Sequence, residues 1–417
     1  MREMFSFLFS LKGNDKAVLW TEPLWIIPFN VYLPFMTLYM FNLGVDDVHI
    51  GIILSVGLVF QMIWALLGGV LTDKFGRRLT TFIGDTLAWS IPALIWAFAQ
   101  NFWWFLAAAI VNATRLITLV SWECLWADDI KDEDKKKTIK IINWFHIMAQ
   151  FAVFFAPIAG FFVERDGVVP VMRVLFIITF ISMTAKFIIT YFMTVETERG
   201  LKRMKETKNT SIFRLLLGYK RVFRQISLSP NIMRVTILRS GIGIVQLITS
   251  TFFALYATQN LGINESFLAY FPILRAAIML TFLFLIQNRL SRFKGRYVML
   301  AGLAAHILSH GLLILSPPEN LAWLSVYIIM EACAAALFLP RLDTLSVHEV
   351  RPRERARIYG VFNVIAFAVA APFGYLAGFL SDLDRRLPFA LNILLFVCMI
   401  YFVLSKSHAK KKIKVAL

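Results

Sequence analysis

The sequence has 417 residues, of which 59% are hydrophobic and 17% charged, with a mean hydropathy of +0.68. Soluble chains carry about 25% charged residues, so this composition excludes a pair of ordinary soluble domains, and it is too apolar for a disordered chain. The net charge of +17, from 43 Lys and Arg against 26 Asp and Glu, would suggest nucleic acid in a soluble protein, but in so apolar a chain the positions of the basic residues decide their purpose.

A membrane helix needs about 20 mostly apolar residues. Twelve stretches qualify, at 20–43, 49–72, 79–99, 102–127, 140–163, 171–195, 232–260, 266–289, 297–316, 320–346, 357–381 and 387–405. Pro23–Val45, Ile141–Val163 and Ile358–Ser381 contain no Asp, Glu, Lys or Arg at all. The expected fold class is therefore an all-α integral membrane protein with twelve transmembrane helices; a β-barrel would show alternating segments of about ten residues instead. Ahead of the first span, Phe5–Leu11 is too short an apolar core for a signal peptide and reads as an interfacial lead-in.

Basic residues sort by loop. The N-terminal tail, the loops after spans 2, 4, 6, 8 and 10, and the C-terminal tail hold 33 of them; the opposite loops hold four, Arg165, Arg173, Arg385 and Arg386. By the positive-inside rule both termini are cytoplasmic, in agreement with an even span count, and the expected location is the plasma membrane with the lipid bilayer as partner. The positive charge is then topology, and no nucleic-acid partner is expected. Cys124, Cys333 and Cys398 fall inside spans with no CxxC spacing, so neither a disulfide framework nor a metal site is expected.

The chain divides at 196–230. Within this linker Ile212, Leu215, Leu216, Tyr219, Val222, Phe223 and Ile226 recur at helical spacing between basic residues, the pattern of an amphipathic helix on the cytoplasmic leaflet. The expected organisation is an N-terminal six-helix bundle (1–195), the linker (196–230) and a C-terminal six-helix bundle (231–417). The bundles match at an offset of about 217: LYMFNLGV at 38–45 against LYATQNLGI at 255–263, LTDKFGR at 71–77 against LSRFKGR at 290–296, Asp128 against Asp343, and Pro157 against Pro372. Parallel six-helix repeats are the plan of one large transporter class.

Residues 69–78, GVLTDKFGRR, resemble the signature of the major facilitator superfamily between spans 2 and 3, with Gly69, Asp73, Lys74, Gly76, Arg77 and Arg78 at its defining positions. Residues 349–360, EVRPRERARIYG, resemble that superfamily's loop 10–11 pattern. The resemblance covers the whole chain and implies a secondary transporter with a central cavity lined by spans 1, 4, 7 and 10. On physical grounds Gly69 lets a neighbouring helix approach, Gly76 permits a tight turn, and Asp73 is placed to face the positive N-terminus of span 11. Arg77 and Arg78 are expected to pair with Asp128 or Asp129, as a latch that holds one state and releases in another. The second copy carries Arg292 where the first has Asp73, so a symmetric latch is not expected there. In span 5, Ala152, Ala156, Pro157 and Gly160 are similar to the small-residue and proline motif of drug–proton antiporters, and Pro157, Gly160 and Pro372 are candidate hinges.

Ionisable residues inside a membrane are functional hypotheses by default. Arg115 and Glu331 lie near the middles of spans 4 and 10 and are 216 residues apart, hence at equivalent places. Glu331 is the candidate proton carrier and Arg115 its partner or a substrate anchor. Glu22 and Arg239 are also equivalent and are candidates for an inner-gate ion pair. Asp85 and Glu123 read as helix-end packing. Lys186 and Arg275, with Arg115, set three cations against Glu331 and suggest an anionic or zwitterionic solute, while Trp122, seven residues after Arg115, shares its face. No phosphate loop, HExxH, GxSxG or selectivity-filter run is present, which argues against ATP-driven transport, an enzyme or a channel. The expectation is a monomeric, proton-coupled transporter of a small solute with no cofactor, exporting by antiport on the span 5 pattern, with uptake by symport or a non-transporting sensor as alternatives.

Overall fold

The structure is a computed structural model that describes residues 2–128, 130, 135–217, 229–290, 292–349 and 355–405. Among the described residues it is helical without a strand. Ten helices are long and apolar enough to cross a membrane: α1 (Gly13–Asn42), α2 (Asp47–Phe75), α4 (Phe102–Ala127), α5 (Lys140–Asp166), α6 (Val168–Met193), α7 (Pro230–Asn260), α9 (Gly295–Ile314), α10 (Leu321–Ser346), α11 (Val361–Leu383) and α12 (Leu387–Leu404). Helical stretches at 77–97 (α3) and 271–290 (α8) lie where the third and eighth spans are expected but are not among the ten; α3 carries Arg77, Arg78 and Asp85. A short helix at Arg2–Ser10 precedes α1. The linker forms a helix at Glu198–Thr207 and another at Ile212–Leu217; the rest of its amphipathic stretch, Asp129, residues 351–354 and the basic C-terminal tail lie outside the described residues.

Local chemistry sets the breaks. Asp46 caps α2 by accepting from the backbone N–H of His49 at 2.8 Å, and Asn101 caps α4 by accepting from that of Trp103 at 3.1 Å. Pro92 has no N–H for the carbonyl of Ala88. The helix widens there into a π turn over Thr86–Ser90, and the freed carbonyl accepts from Asn112 Nδ2 at 2.7 Å.

The sequence repeat has a hydrogen-bonded counterpart. Tyr39 is fully buried and donates to the carbonyl of Trp96 at 2.7 Å, while Tyr256, also fully buried, donates to that of Leu313 at 3.1 Å. Donors and acceptors are both displaced by the repeat offset, so each half ties its first helix to its third by the same bond.

The two halves meet most extensively along α2 and α11. Glycines allow the approach: a Cβ on Gly51 would fall 2.6 Å from the Gly374 carbonyl oxygen, and one on Gly378 would fall 2.5 Å from that of Asp47. Asp47 accepts from Arg385 Nε at 3.0 Å and from Ser381 Oγ at 2.5 Å. Ser55 Oγ donates to the Ala371 carbonyl and accepts from the Tyr375 N–H, at 2.5 and 2.6 Å. It thus stands inside an i to i−4 bond of α11, next to Pro372, where an inserted side chain bends a helix. On the same side α5 packs on Glu265–Ala269, with Gly160 against Ser266. This end of the molecule, which carries the α1–α2 and α11–α12 loops, is closed.

Candidate functional site

Between the halves lie two cavities, of about 600 and 430 Å³, that share Arg115 and Phe367 in their walls. The larger is walled mainly by α7, α8, α10 and α11, and the smaller by α1, α3, α4 and α6. Both sizes fall in the range of small-ligand sites.

In the larger cavity Glu331 accepts from Arg275 at 2.8 Å through Nε and at 3.3 Å through Nη2, a fork geometry that suits guanidinium and carboxylate. The equivalence of Arg115 and Glu331 suggested that these two would pair; instead Arg275, four residues into α8, takes the carboxylate. Arg115 Nη2 donates to the neutral side chain of Gln61 on α2, at 3.0 Å. No carboxylate lies within ion-pair distance of Arg115 among the described residues. Arg115 is thus a half-buried guanidinium held by a neutral partner, while Glu331 in the same cavity is engaged by Arg275.

In the smaller cavity Lys186 donates to Glu22 at 2.8 Å, both side chains buried. Glu22 therefore does not pair with Arg239. The two sit in different halves, and Arg239 bonds Asp343 at 2.7 Å and Ser346 at 2.9 Å within the C-terminal half. Asp85 lines this cavity too, so it is a wall residue rather than only helix-end packing. The charge count shifts accordingly: the three cations Arg115, Lys186 and Arg275 do reach the cavities, but they face three acids, Glu22, Asp85 and Glu331. Trp122 also lines the smaller cavity, its ring 4.7 Å from that of Phe145.

The signature residues gather at the opposite end of α2. Gly76 has a φ of +87°, a conformation that favours glycine, and a Cβ there would meet Glu196 Oε2 at 2.4 Å. Glu196 accepts from the backbone N–H groups of Arg77 and Arg78, both at 3.0 Å, and so caps the N-terminus of α3. Arg77 is buried and donates to Asp128 at 2.9 Å. Arg78 stacks on the Tyr191 ring at 4.0 Å and donates to the Tyr191 carbonyl. Asp73 accepts from Arg203 of the linker helix at 2.7 Å, which raises the pKa of that guanidinium, and Lys74 donates to the Thr210 carbonyl at 3.1 Å. These bonds tie α2, α3, α4 and the linker to one another; they lie within the N-terminal half and its linker, not across the halves. The contact expected between Asp73 and the start of span 11 falls on residues 350–354 and on side chains of 355–360, which lie outside the described ones. Gly69 is half-buried in α2, and its neighbour Gly68 makes the close approach to α4, where a Cβ would fall 2.8 Å from the Leu116 carbonyl. Pro157 opens the last segment of α5, after a 3-10 turn at Val153–Phe155.

The sequence model of the Major Facilitator Superfamily matches residues 26–375. The chain belongs to that superfamily. Its fold is similar to that of the nucleoside transporter NupG, in a point-mutant form, at a TM-score of 0.72 and 17% identity over 94% of this chain and 99% of that one. A POT family transporter in complex with 5-aminolevulinic acid gives a TM-score of 0.71 at 14% identity, covering 94% of each chain. A peptide transporter POT in mutant form gives 0.69 at 13%, covering 95% of this chain and 97% of that one. No curated protein matches the sequence. The protein is thus a multi-pass membrane transporter of the major facilitator superfamily, not an enzyme.

Three features of this superfamily member escaped sequence reasoning. The cap from Glu196, the clamp from Asp47 to Arg385 and the buried His306 and His310 near Glu331 had no motif to mark them. His306 lines the larger cavity and stacks on Phe396 at 4.7 Å; His310 lies within 3.3 Å of Asn392. Simple charge accounting would have found part of the set, because a cation buried in an apolar run requires an acid in another run.

Proposed function

We propose that the protein is a secondary active transporter that moves a small anionic or zwitterionic solute across the plasma membrane as a monomer, coupled to protons, by alternating access of its two bundles. The observation that carries this reading is the Arg275–Glu331 pair standing in the wall of the cavity that also holds Arg115 without a counter-charge. Arg115 is the anchor for the solute's anionic group. Glu331 binds either Arg275 or a proton, and the two states differ in the charge presented to the cavity. Twelve spans with both termini cytoplasmic, as the distribution of basic loops supports, make the Asp47–Arg385 end extracellular, so the state described is closed to the outside.

The sense of coupling follows from the same geometry. Protonating Glu331 releases Arg275 and adds a second anion site beside Arg115, so proton and solute bind together, which is the logic of symport. The small-residue and proline pattern at Ala152, Ala156, Pro157 and Gly160 supports the second reading, export by antiport. Proton flux in proteoliposomes, driven by a panel of solutes, tests both. Symport acidifies the lumen as solute enters, whereas antiport makes it more alkaline. Glu331→Gln is expected to abolish the flux while solute exchange without a proton gradient persists. A Glu331→Gln protein with full proton-dependent transport sinks the coupling role.

A further inference from the structure

We propose that the smaller cavity is a subsite for an organic ammonium group carried on a flat apolar body, so that the transported solute is an aromatic zwitterion. This deepens the reading above and rests on Arg115 as the anchor of the solute's anion.

Asp85 and Arg115 stand in the wall of one cavity of about 430 Å³. Each lacks an ion-pair partner among the described residues. The other two charges in that wall, Lys186 and Glu22, satisfy each other at 2.8 Å. The cavity therefore offers one base hydrogen-bonded to the neutral Gln61 and one acid without an ion pair, and a ligand bearing both charges would neutralise both at once. Buried charges are stable only when paired, so a zwitterion is favoured over a ligand that supplies one partner and leaves the other bare.

The remaining wall is aromatic. Trp25 stacks on Phe29 at 5.0 Å and meets Trp89 edge-on at the same distance, and Trp122 completes the lining. Such faces take flat rings by stacking and cations by attraction to the ring quadrupole. Lys186 already illustrates the second, with its ammonium 5.6 Å from the Trp25 ring. An acid beside indole faces is the chemistry that recognises an alkylammonium; the Arg115 guanidinium across the same space recognises a carboxylate.

Direct binding to the full chain in nanodiscs tests this, with four probes: phenylalanine, phenylalaninamide (no carboxylate), 3-phenylpropionate (no ammonium) and alanine (no ring). Phenylalanine is expected to bind tightest. Asp85→Asn is expected to weaken phenylalanine and phenylalaninamide by about tenfold or more and to leave 3-phenylpropionate unchanged, which also reports that the variant is folded. Arg115→Gln is expected to give the mirror pattern, and Asp85→Glu to restore binding of the ammonium probes. Equal loss of all probes in Asp85→Asn, loss of none, or phenylalanine no tighter than alanine would overturn the subsite. The coupling reading fails or stands separately, on proton flux in Glu331→Gln, because these measurements need no gradient and leave Glu331 intact.

Discussion

Asp47 and Arg385 join the two halves at the closed end, with Oδ2 and Nε 3.0 Å apart and the carboxylate almost wholly buried. Ser381 donates to the same oxygen at 2.5 Å. Removing one member of a buried charge pair costs about 3–5 kcal/mol, because the other is left uncompensated. The proposed alternating access requires this end to open, so the clamp would weigh on the balance between states. Asp47→Asn is expected to shift the population toward the opened state. A cysteine placed by Ser250→Cys in the cavity wall, in a chain with its three native cysteines removed, should then react faster with a reagent supplied from the Asp47 side. Unchanged labelling would show that the clamp does not hold the gate.

The glycines of α2 make a sharper comparison. A Cβ on Gly51 would fall 2.6 Å from a backbone carbonyl of α11, and backbone cannot move aside as a flexible side chain can. A Cβ on Gly57 would meet only the Ala109 methyl at 3.7 Å, an ordinary contact. Gly51→Ala is therefore expected to cost about 1–3 kcal/mol in the closed arrangement and to lower transport. Gly57→Ala should leave both melting temperature and transport near the parent values. Equal behaviour of the two variants contradicts the close packing of α2 on α11.

At the other end of α2, Gly76→Ala combines a φ of +87° with a Cβ 2.4 Å from Glu196 Oε2, so it strains the turn and displaces the cap. Glu196→Gln keeps the shape and loses the charge that faces the α3 N-terminus, an effect of about 1 kcal/mol. The expected order of melting temperatures is parent, then Glu196→Gln, then Gly76→Ala. A reversal would mean that the turn, rather than Glu196, is the replaceable element.

These cases also show what could be read from the chain. Ten of the twelve expected spans were legible because a bilayer demands about 20 apolar residues in a row, and the 69–78 signature was legible because its residues are contiguous. Pairings between spans were not. Repeat symmetry placed Arg115 opposite Glu331 and Glu22 opposite Arg239, but an ion pair is decided by which helices are neighbours and how far a side chain reaches. Glu331 therefore went to Arg275, and Glu22 went to Lys186, 164 residues away. Asp85 looked like a helix end because depth along the chain says nothing about which face of α3 it occupies.

The Glu22–Lys186 pair separates structure from transport. Both side chains are buried, at 7% and 5% exposure, and 2.8 Å apart, so neither can be lost alone without stranding the other. Lys186→Met is expected to destabilise the protein by about 3–5 kcal/mol, seen as a lower melting temperature and less folded protein in detergent. Adding Glu22→Gln to that variant removes the stranded acid, and most of the stability should return, since a buried pair contributes little beyond its own neutralisation. The double variant then asks the functional question cleanly. If it transports at the parent rate, the pair only fills space between α1 and α6. If it is stable but moves no solute, the charges act on the solute or on the change of state, and the 430 Å³ cavity beside them is where that action takes place.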